Sequence, residues 1–193
     1  MKRCTVWLTA VALLLCGLTA CSGAVRDSGA HVDCEYTFVT ENGLLDFLKT
    51  DDRLADSRDG QGRVTAYLPG EVPEGYSLTL IRTVSYGSYY AFYYSNPAGE
   101  RLELFWYPSA QPEKLMEAYL DESYTEMEGG FFLCSPETEE ASPAYCDLLW
   151  VEQGQFFSLT LTQSVWKEWG RPPKIKAIPV ETAYRGAESG SDR

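Results

Sequence analysis

The sequence predicts an α+β domain with a mainly antiparallel sheet of about five to seven strands and one or two packed helices. Two observations predict this fold. From residue 62 onward, short apolar stretches alternate with turn signals such as Asn96–Glu100 and Gln153–Gly154, which is typical of strands joined by hairpins. Only two stretches, 41–56 and 109–123, place apolar side chains at the spacing of a helix.

The individual elements follow from local patterns. A first helix is predicted over 41–56, where apolar side chains from Leu44 to Leu54 lie on a mostly helical period. A second is predicted over 109–123, which has Ser109 as a cap and Pro112 in its first turn. Strand-forming composition and alternation predict strands over 62–69, 76–87, 88–95, 101–107, 129–135, 145–154 and 155–163.

The first twenty residues have the three parts of an export signal. Lys2 and Arg3 precede an apolar stretch over residues 6–18, and small residues follow it. The sequence LTAC at 18–21 matches a bacterial lipobox, in which the cysteine thiol receives a diacylglycerol and the chain is cut before the cysteine. We therefore predict a lipoprotein signal peptide over 1–20 and lipidation of Cys21.

Cys16 does not satisfy the same requirement, because the bulky residue Leu15 precedes it. The alternative interpretation of the segment is an uncleaved membrane helix, since about 18 apolar residues can just span a bilayer. Lipidation would give a lasting anchor, because each buried methylene contributes about 0.8 kcal/mol and several acyl chains act together. The predicted location is the extracytoplasmic face of a bacterial cell membrane, with the membrane as a partner.

Three further segments are predicted after the signal. Small and polar residues predict a flexible tether over 21–33. A single α+β domain is predicted over 34–180, and the polar tail over 181–193 is predicted to be disordered. Pro172, Pro173 and Pro179 interrupt the stretch that leads into this tail.

The charge and the histidine content exclude several classes of function. The formal net charge is −12, and because the signal carries +2, the chain from residue 21 onward carries −14. Phosphate backbones repel such a surface, so nucleic acid is not expected as a partner. The single histidine, His31, falls in the tether, which leaves the domain without a histidine base or ligand. We predict no catalytic residue, no metal site and no cofactor, and we do not expect an enzyme.

Besides Cys21, the predicted mature chain contains Cys34, Cys134 and Cys146. Outside the cytoplasm, Cys134 and Cys146 are the natural candidate disulfide pair, because they flank a polar loop between two apolar stretches. Closing a loop of that length contributes about 3 kcal/mol. The alternative is that all three remain buried free thiols.

Nine aromatic residues are concentrated between Tyr86 and Tyr107. They are too many for one face of two strands, so some are expected on the outer face, where rings can stack on sugars or on a partner protein. The alternative is cross-strand packing beneath a covering helix. The candidate ligand-facing residues are Tyr86, Tyr90, Tyr94, Phe105 and Tyr107.

Three stretches of the domain resemble one protein family: "VPEGYSLTLI" at 72–81, "YYSNPAGERLELFW" at 93–106 and "LLWVEQGQFFSLTL" at 148–161. Their proline-glycine-tyrosine start, N-x-x-G turn and tryptophan strand followed by a glycine turn are similar to those of the domain-of-unknown-function family 4367. The resemblance covers roughly half of the chain and involves turns and core positions, with no catalytic residue. It implies an extracytoplasmic domain on membrane-attached bacterial proteins, often beside regulators.

The leading functional hypothesis is a lipid-anchored extracytoplasmic protein whose domain binds or senses an envelope component, such as another envelope protein, without catalysis. The alternative is a carbohydrate-binding or cell-wall-binding module, with wall glycan as the partner. A hydrolase that uses carboxylates alone is a third hypothesis, because paired acids such as Asp121 and Glu122 can perform acid/base chemistry.

Overall fold

The computed structural model describes residues 35–50, 59–84, 89–135 and 144–182. The elements in chain order are β1 (Glu35–Phe38), α1 (Glu41–Thr50), β2 (Arg63–Pro69), β3 (Ser77–Val84), β4 (Tyr90–Ser95), β5 (Arg101–Tyr107), α2 (Pro112–Glu117), β6 (Thr125–Met127), β7 (Phe131–Cys134), β8 (Tyr145–Glu152), β9 (Gln155–Thr162), α3 (Gln163–Trp169) and β10 (Ile175–Glu181).

The main sheet has eight strands in the order β1-β3-β4-β5-β9-β8-β7-β6, and β10 pairs with β2 in a second sheet. Every pair between the described strands is antiparallel. The predicted α+β class with an antiparallel sheet is confirmed, but the predicted number of strands is too low. The sequence patterns do not predict the strands β1 and β6 or the helix α3, because such short elements leave little periodic signal in a sequence.

The predicted first helix corresponds to α1, and its last residues fall outside the described residues. The second helix is shorter than predicted. α2 contains six residues, and its N-cap residue Gln111 makes no side-chain capping hydrogen bond. After α2, the ring of Tyr119 packs against Phe156 of β9 with centroids 5.2 Å apart. The backbone continues beyond α2 in 3₁₀-type turns, in which the Tyr119 N–H donates to Met116 O at 2.9 Å.

One face of the main sheet carries the hydrophobic core. Along the central strands β4, β5, β9 and β8, every second side chain points to that face, and these side chains are almost fully buried. The small sheet covers them, since Tyr67 of β2 contacts Trp106 and Phe157 with ring centroids 5.2 and 6.4 Å apart. Burying each large apolar side chain stabilises the fold by about 1.5–3 kcal/mol. The inward residues of the central strands include Phe92, Leu104, Trp106, Leu148, Phe157 and Leu159.

The proline-interrupted C-terminal stretch forms β10, which the sequence patterns do not predict. β10 pairs with β2 along its whole length, and its residues Ile175 and Val180 are buried. Pro179 is tolerated because β10 pairs on one side only, so the missing N–H belongs to an edge strand. Glu181 is therefore the last residue of a strand and not the first residue of a tail, while residues 183–193 lie outside the described residues.

The predicted signal peptide over 1–20 and the tether over 21–33 also lie outside the described residues, as do Cys21 and Cys34. The first described residue, Glu35, begins β1, next to the predicted start of the domain. Within the described ranges, no helix has the length and apolar character needed to cross a bilayer.

We predict that β10 is required for stability and that the segment after it is not. Truncation after Lys174 removes β10, which pairs with β2 and packs on α1, and so uncovers apolar side chains such as the buried Val64. This protein should melt at least about 10 °C lower or lose its cooperative transition. Truncation after Thr182 should shift the melting temperature by less than about 2 °C. Circular dichroism measures both, and equal melting temperatures would contradict the structural role of β10.

Candidate functional site

Neighbouring aromatic residues of β4 point to opposite faces of the main sheet. Tyr90 opposes Trp106 and Tyr94 opposes Leu102 in the β4–β5 hairpin, so both tyrosines lie on the core face. Tyr90 is 0% exposed and stacks on Trp106 with ring centroids 4.5 Å apart, while Tyr94 is 5% exposed. The prediction that Tyr90 and Tyr94 face a ligand is therefore wrong. Burial, with a smaller effect of the Glu41 carboxylate, raises the pKa of Tyr94.

The opposite face carries a continuous set of contacting rings, which we call the outer aromatic surface. Its central residue, Phe105, has its ring centroid 5.7–6.3 Å from those of three neighbouring rings. Tyr107 stacks on Phe156 at 4.9 Å and contacts Tyr119 at 5.5 Å. Phe105 and Tyr107 thus lie on the outer face. The members of the surface are Tyr89, Tyr93, Phe105, Tyr107, Tyr119 and Phe156.

The outer aromatic surface is covered at one end and open at the other. α2 packs on β8 and β9, and Phe156 of β9 is 0% exposed. Tyr119, which follows α2, is 46% exposed, and the members on β5 are half-buried. A six-residue helix spans only about 9 Å, which is too short to cover β3, β4 and β5 as well. Tyr86, the remaining predicted aromatic candidate, lies outside the described residues.

A groove of about 500 Å³ adjoins the outer aromatic surface at Tyr93. The guanidinium groups of Arg82 and Arg101 line it, together with Glu35 and Leu80. Arg82 Nη2 donates a hydrogen bond to Glu35 Oε2 at 2.7 Å, and the guanidinium also hydrogen-bonds to the Tyr93 hydroxyl. These bonds fix a cationic group beside the aromatic rings. Within the described structure, Arg82 Nε is buried and has no hydrogen-bond partner.

A row of polar side chains crosses the same face next to the rings. Glu103 opposes Thr160, which in turn opposes Asp147 on the neighbouring strand. Thr160 Oγ1 donates a hydrogen bond to Asp147 Oδ1 at 2.5 Å. Burial raises the pKa of Tyr93, and the Glu103 carboxylate adds to this effect. The Tyr93 hydroxyl therefore stays protonated at neutral pH, so the face offers hydrogen-bond donors, acceptors and ring surfaces side by side.

Burial also raises the pKa of Tyr107, to about 12. The neighbouring Tyr119 contributes in the same direction, whereas a hydrogen bond with Ser158 opposes the shift. The hydroxyl group of Tyr107 is thus neutral over the physiological pH range, and the centre of the outer aromatic surface carries no charge of its own.

The two described cysteines lie on opposite faces of the sheet, and both are free thiols. Cys134 opposes Asp147 in the β7–β8 pair, and Cys146 is the next residue along β8, so its side chain points the other way. Cys134 Sγ lies 3.4 Å from Ser123 Oγ, whereas Cys146 Sγ lies 3.6 Å from Ser135 Oγ. The predicted Cys134–Cys146 disulfide is therefore wrong, because the two sulfur atoms cannot meet without a change of strand register.

Sequence reasoning did not select Tyr89, Tyr93, Tyr119 or Phe156 as surface residues. The turn at Asn96–Glu100 carries a signal that places Tyr89 and Tyr93 on the outer face. Counting back from this turn pairs Tyr94 with Leu102, which shares a face with Trp106 because the two are four residues apart on one strand. Because side chains alternate between the two faces of a strand, the neighbouring Tyr93 lies on the outer face, and Tyr89, four residues earlier, lies on the same face. No comparable local signal exists for the contact between α2 and β9.

No family model, no curated protein and no solved structure matches the chain. The resemblance to domain family 4367 therefore stays a prediction from sequence.

We predict that Cys134 and Cys146 stay reduced in an oxidising buffer, because the sheet separates them. Peptide mapping without reduction should find no peptide that joins them. Iodoacetamide should modify the half-buried Cys134 at least about tenfold faster than Cys146, which is 0% exposed and whose pKa is raised by burial. A Cys134–Cys146 disulfide, or equal rates of alkylation, would contradict the assigned strand register.

Proposed function

We propose that the protein is a lipid-anchored, extracytoplasmic binding protein of the bacterial envelope, and that its domain recognises an envelope partner without catalysis. The proposed contact region is the outer aromatic surface. One observation supports this most strongly: ring contacts continue from Tyr93 through Phe105 and Tyr107 to Tyr119 on a half-open sheet face.

The energetics of aromatic contacts favour binding at such a surface. Rings that pack against one another lose little conformational freedom when a partner covers them, so most of the gain from buried area is retained. Contiguous exposed apolar rings on a folded domain are typical of interaction sites. Tyr119, which is 46% exposed, has the most area left to bury.

The groove adds polarity to the proposed contact. Arg82, which is paired with Glu35, and Arg101 place two guanidinium groups beside the rings in a chain that otherwise has an excess of acidic residues. Guanidinium groups pair well with carboxylates and other hydrogen-bond acceptors. A partner that combines an apolar face with acceptor groups at its edge fits this surface best.

The proposed anchor follows from the LTAC sequence at residues 18–21. If Cys21 is lipidated, the tether to Glu35 can extend at most about 50 Å, so the domain acts close to the membrane surface. The resemblance to an extracytoplasmic domain family supports the same location.

A carbohydrate-binding or cell-wall-binding module is the second candidate function. The rings of Phe105 and Tyr107 lie nearly parallel, 19° apart, next to the polar row that contains Glu103 and Thr160. Sugars present apolar faces and hydroxyl edges, which match rings beside donors and acceptors. Wall glycan and an envelope protein are therefore the two partners to compare.

We predict that Tyr119→Ser reduces binding to the partner fraction at least about fivefold, because an exposed ring of the surface is lost. Tyr145→Ser is the matched control, since Tyr145 is 45% exposed and is not a member of the outer aromatic surface. Purified sacculi and detergent-solubilised envelope proteins are tested separately for binding to the soluble chain 22–193.

Binding of the chain 22–193 to sacculi would support the wall-binding module, and binding to an envelope protein would support the leading function. Equal binding by the Tyr119→Ser and Tyr145→Ser variants would contradict a role of the surface. Hydrolysis of wall material that disappears in Glu103→Gln would instead support a carboxylate-dependent hydrolase.

We also predict that Cys21→Ala prevents lipidation and releases the protein from the membrane. Metabolic labelling with a fatty acid and fractionation of a bacterial host measure the two effects. Cys16→Ala is the control and should leave both unchanged. Normal maturation and membrane retention of the Cys21→Ala protein would favour an uncleaved helix.

A further inference from the structure

A second pocket, of about 290 Å³, lies at the end of the sheet where β4 turns into β5. Three segments enclose it: the turn before β3, the β4–β5 hairpin and the helix α3. It shares no lining residue with the groove beside Tyr93. The lining residues are Pro73, Glu74, Tyr76, Asn96, Glu100, Val165, Glu168 and Trp169.

The charge of this pocket is negative. Three of its lining residues are glutamates, one from each segment, and none is basic. The guanidinium of Arg171, two residues beyond Trp169, is already paired with Glu71. Arg101, next to Glu100 in sequence, lines the groove instead. A cation entering the pocket therefore meets uncompensated carboxylates.

Hydrogen bonds hold one of these carboxylates in place. Asn96 Nδ2 donates to Glu100 Oε2 at 2.6 Å, and the Tyr76 hydroxyl donates to the same oxygen at 3.3 Å. The Glu100 backbone N–H donates to Asn96 Oδ1 at 3.0 Å, which closes the turn. In the described structure, Oε1 of Glu100 accepts no hydrogen bond. The bonds to Oε2 thus hold the carboxylate in position, and its other oxygen, Oε1, remains available to a ligand.

Aromatic and apolar side chains form the rest of the wall. Trp169 is the last residue of α3, and Gly170, with φ 67°, ends the helix by donating its N–H to Trp166 O at 2.8 Å. Tyr76 lies on the opposite segment; burial and the Glu100 carboxylate raise its pKa to about 12, which is consistent with a negative field at this wall. An aromatic wall beside carboxylates attracts organic cations through the ring faces as well as through charge.

We propose that this pocket binds an alkylammonium group, which contacts the rings of Tyr76 and Trp169 and is neutralised by Glu100. The cavity volume is at the lower end of the range for small-molecule pockets, so it suits a head group or the end of an amine side chain. The proposal is independent of the outer aromatic surface, because the two regions share no residue.

The test is ¹⁹F NMR of the full chain, purified in a maltoside detergent and labelled with 5-fluorotryptophan. Trp169→Phe identifies the signal of residue 169. Choline and N-acetyl-lysine methylamide are added in turn, which separates a quaternary from a primary ammonium source. The neutral isostere of choline, 3,3-dimethyl-1-butanol, is the ligand control. We expect the Trp169 signal to shift with at least one cation, and the isostere to bind at least about tenfold more weakly.

Two variants test the role of the carboxylate. Glu100→Gln should weaken cation binding about three- to tenfold, and Glu168→Gln serves if Glu100→Gln does not fold. Glu126→Gln, an exposed residue of β6, is the matched control and should bind like the unaltered chain. Tyr119→Ser should also bind cations normally, which separates this site from the proposed function. Equal binding of the neutral isostere, or equal loss in Glu126→Gln, would overturn the proposal.

Discussion

The pairing of β5 with β9 joins the two halves of the main sheet. Strands β3 to β5 form one antiparallel meander and β6 to β9 form another, and among the described strands these halves meet only at this pair. On the core face the pair places Trp106 opposite Phe157, and on the outer face it places Tyr107 opposite Phe156. Because Tyr107 stacks on Phe156, the outer aromatic surface spans the junction and depends on the same pairing as the core.

Side-chain alternation at the β4–β5 hairpin directs two neighbouring side chains of opposite charge into two different regions. Glu100, at the end of the turn, lines the acidic pocket, and Arg101, the next residue, lines the groove beside the outer aromatic surface. Each charge lies next to aromatic rings, so the two regions favour different ligands although they are close in sequence. Under the two proposals, this separation would let an acidic domain bind an acceptor-rich partner at one place and a cation at another.

The sequence predicted the antiparallel α+β class because local alternation and turn residues determine strands and hairpins. It could also have placed Tyr94 in the core, since the length of the Asn96–Glu100 turn sets the register of β4 against β5. The β5–β9 contact could not be predicted, because alternation does not indicate which distant strand edge pairs with which. Prolines concealed β10, and no local pattern indicates that α2 packs on β9, the strand whose Phe156 contacts Tyr119.

Hydroxyl-radical footprinting tests the proposed binding surface most directly, because it requires no assumption about the partner. Oxidation rates are compared between the protein in intact envelopes of a bacterial host and the purified protein in detergent. The outer aromatic surface should be protected in envelopes, with slower oxidation of Tyr93, Phe105 and Tyr119, while Tyr145, which is similarly exposed to Tyr119, should react at the same rate in both samples. Equal rates for all four residues in both samples would contradict a partner at this surface.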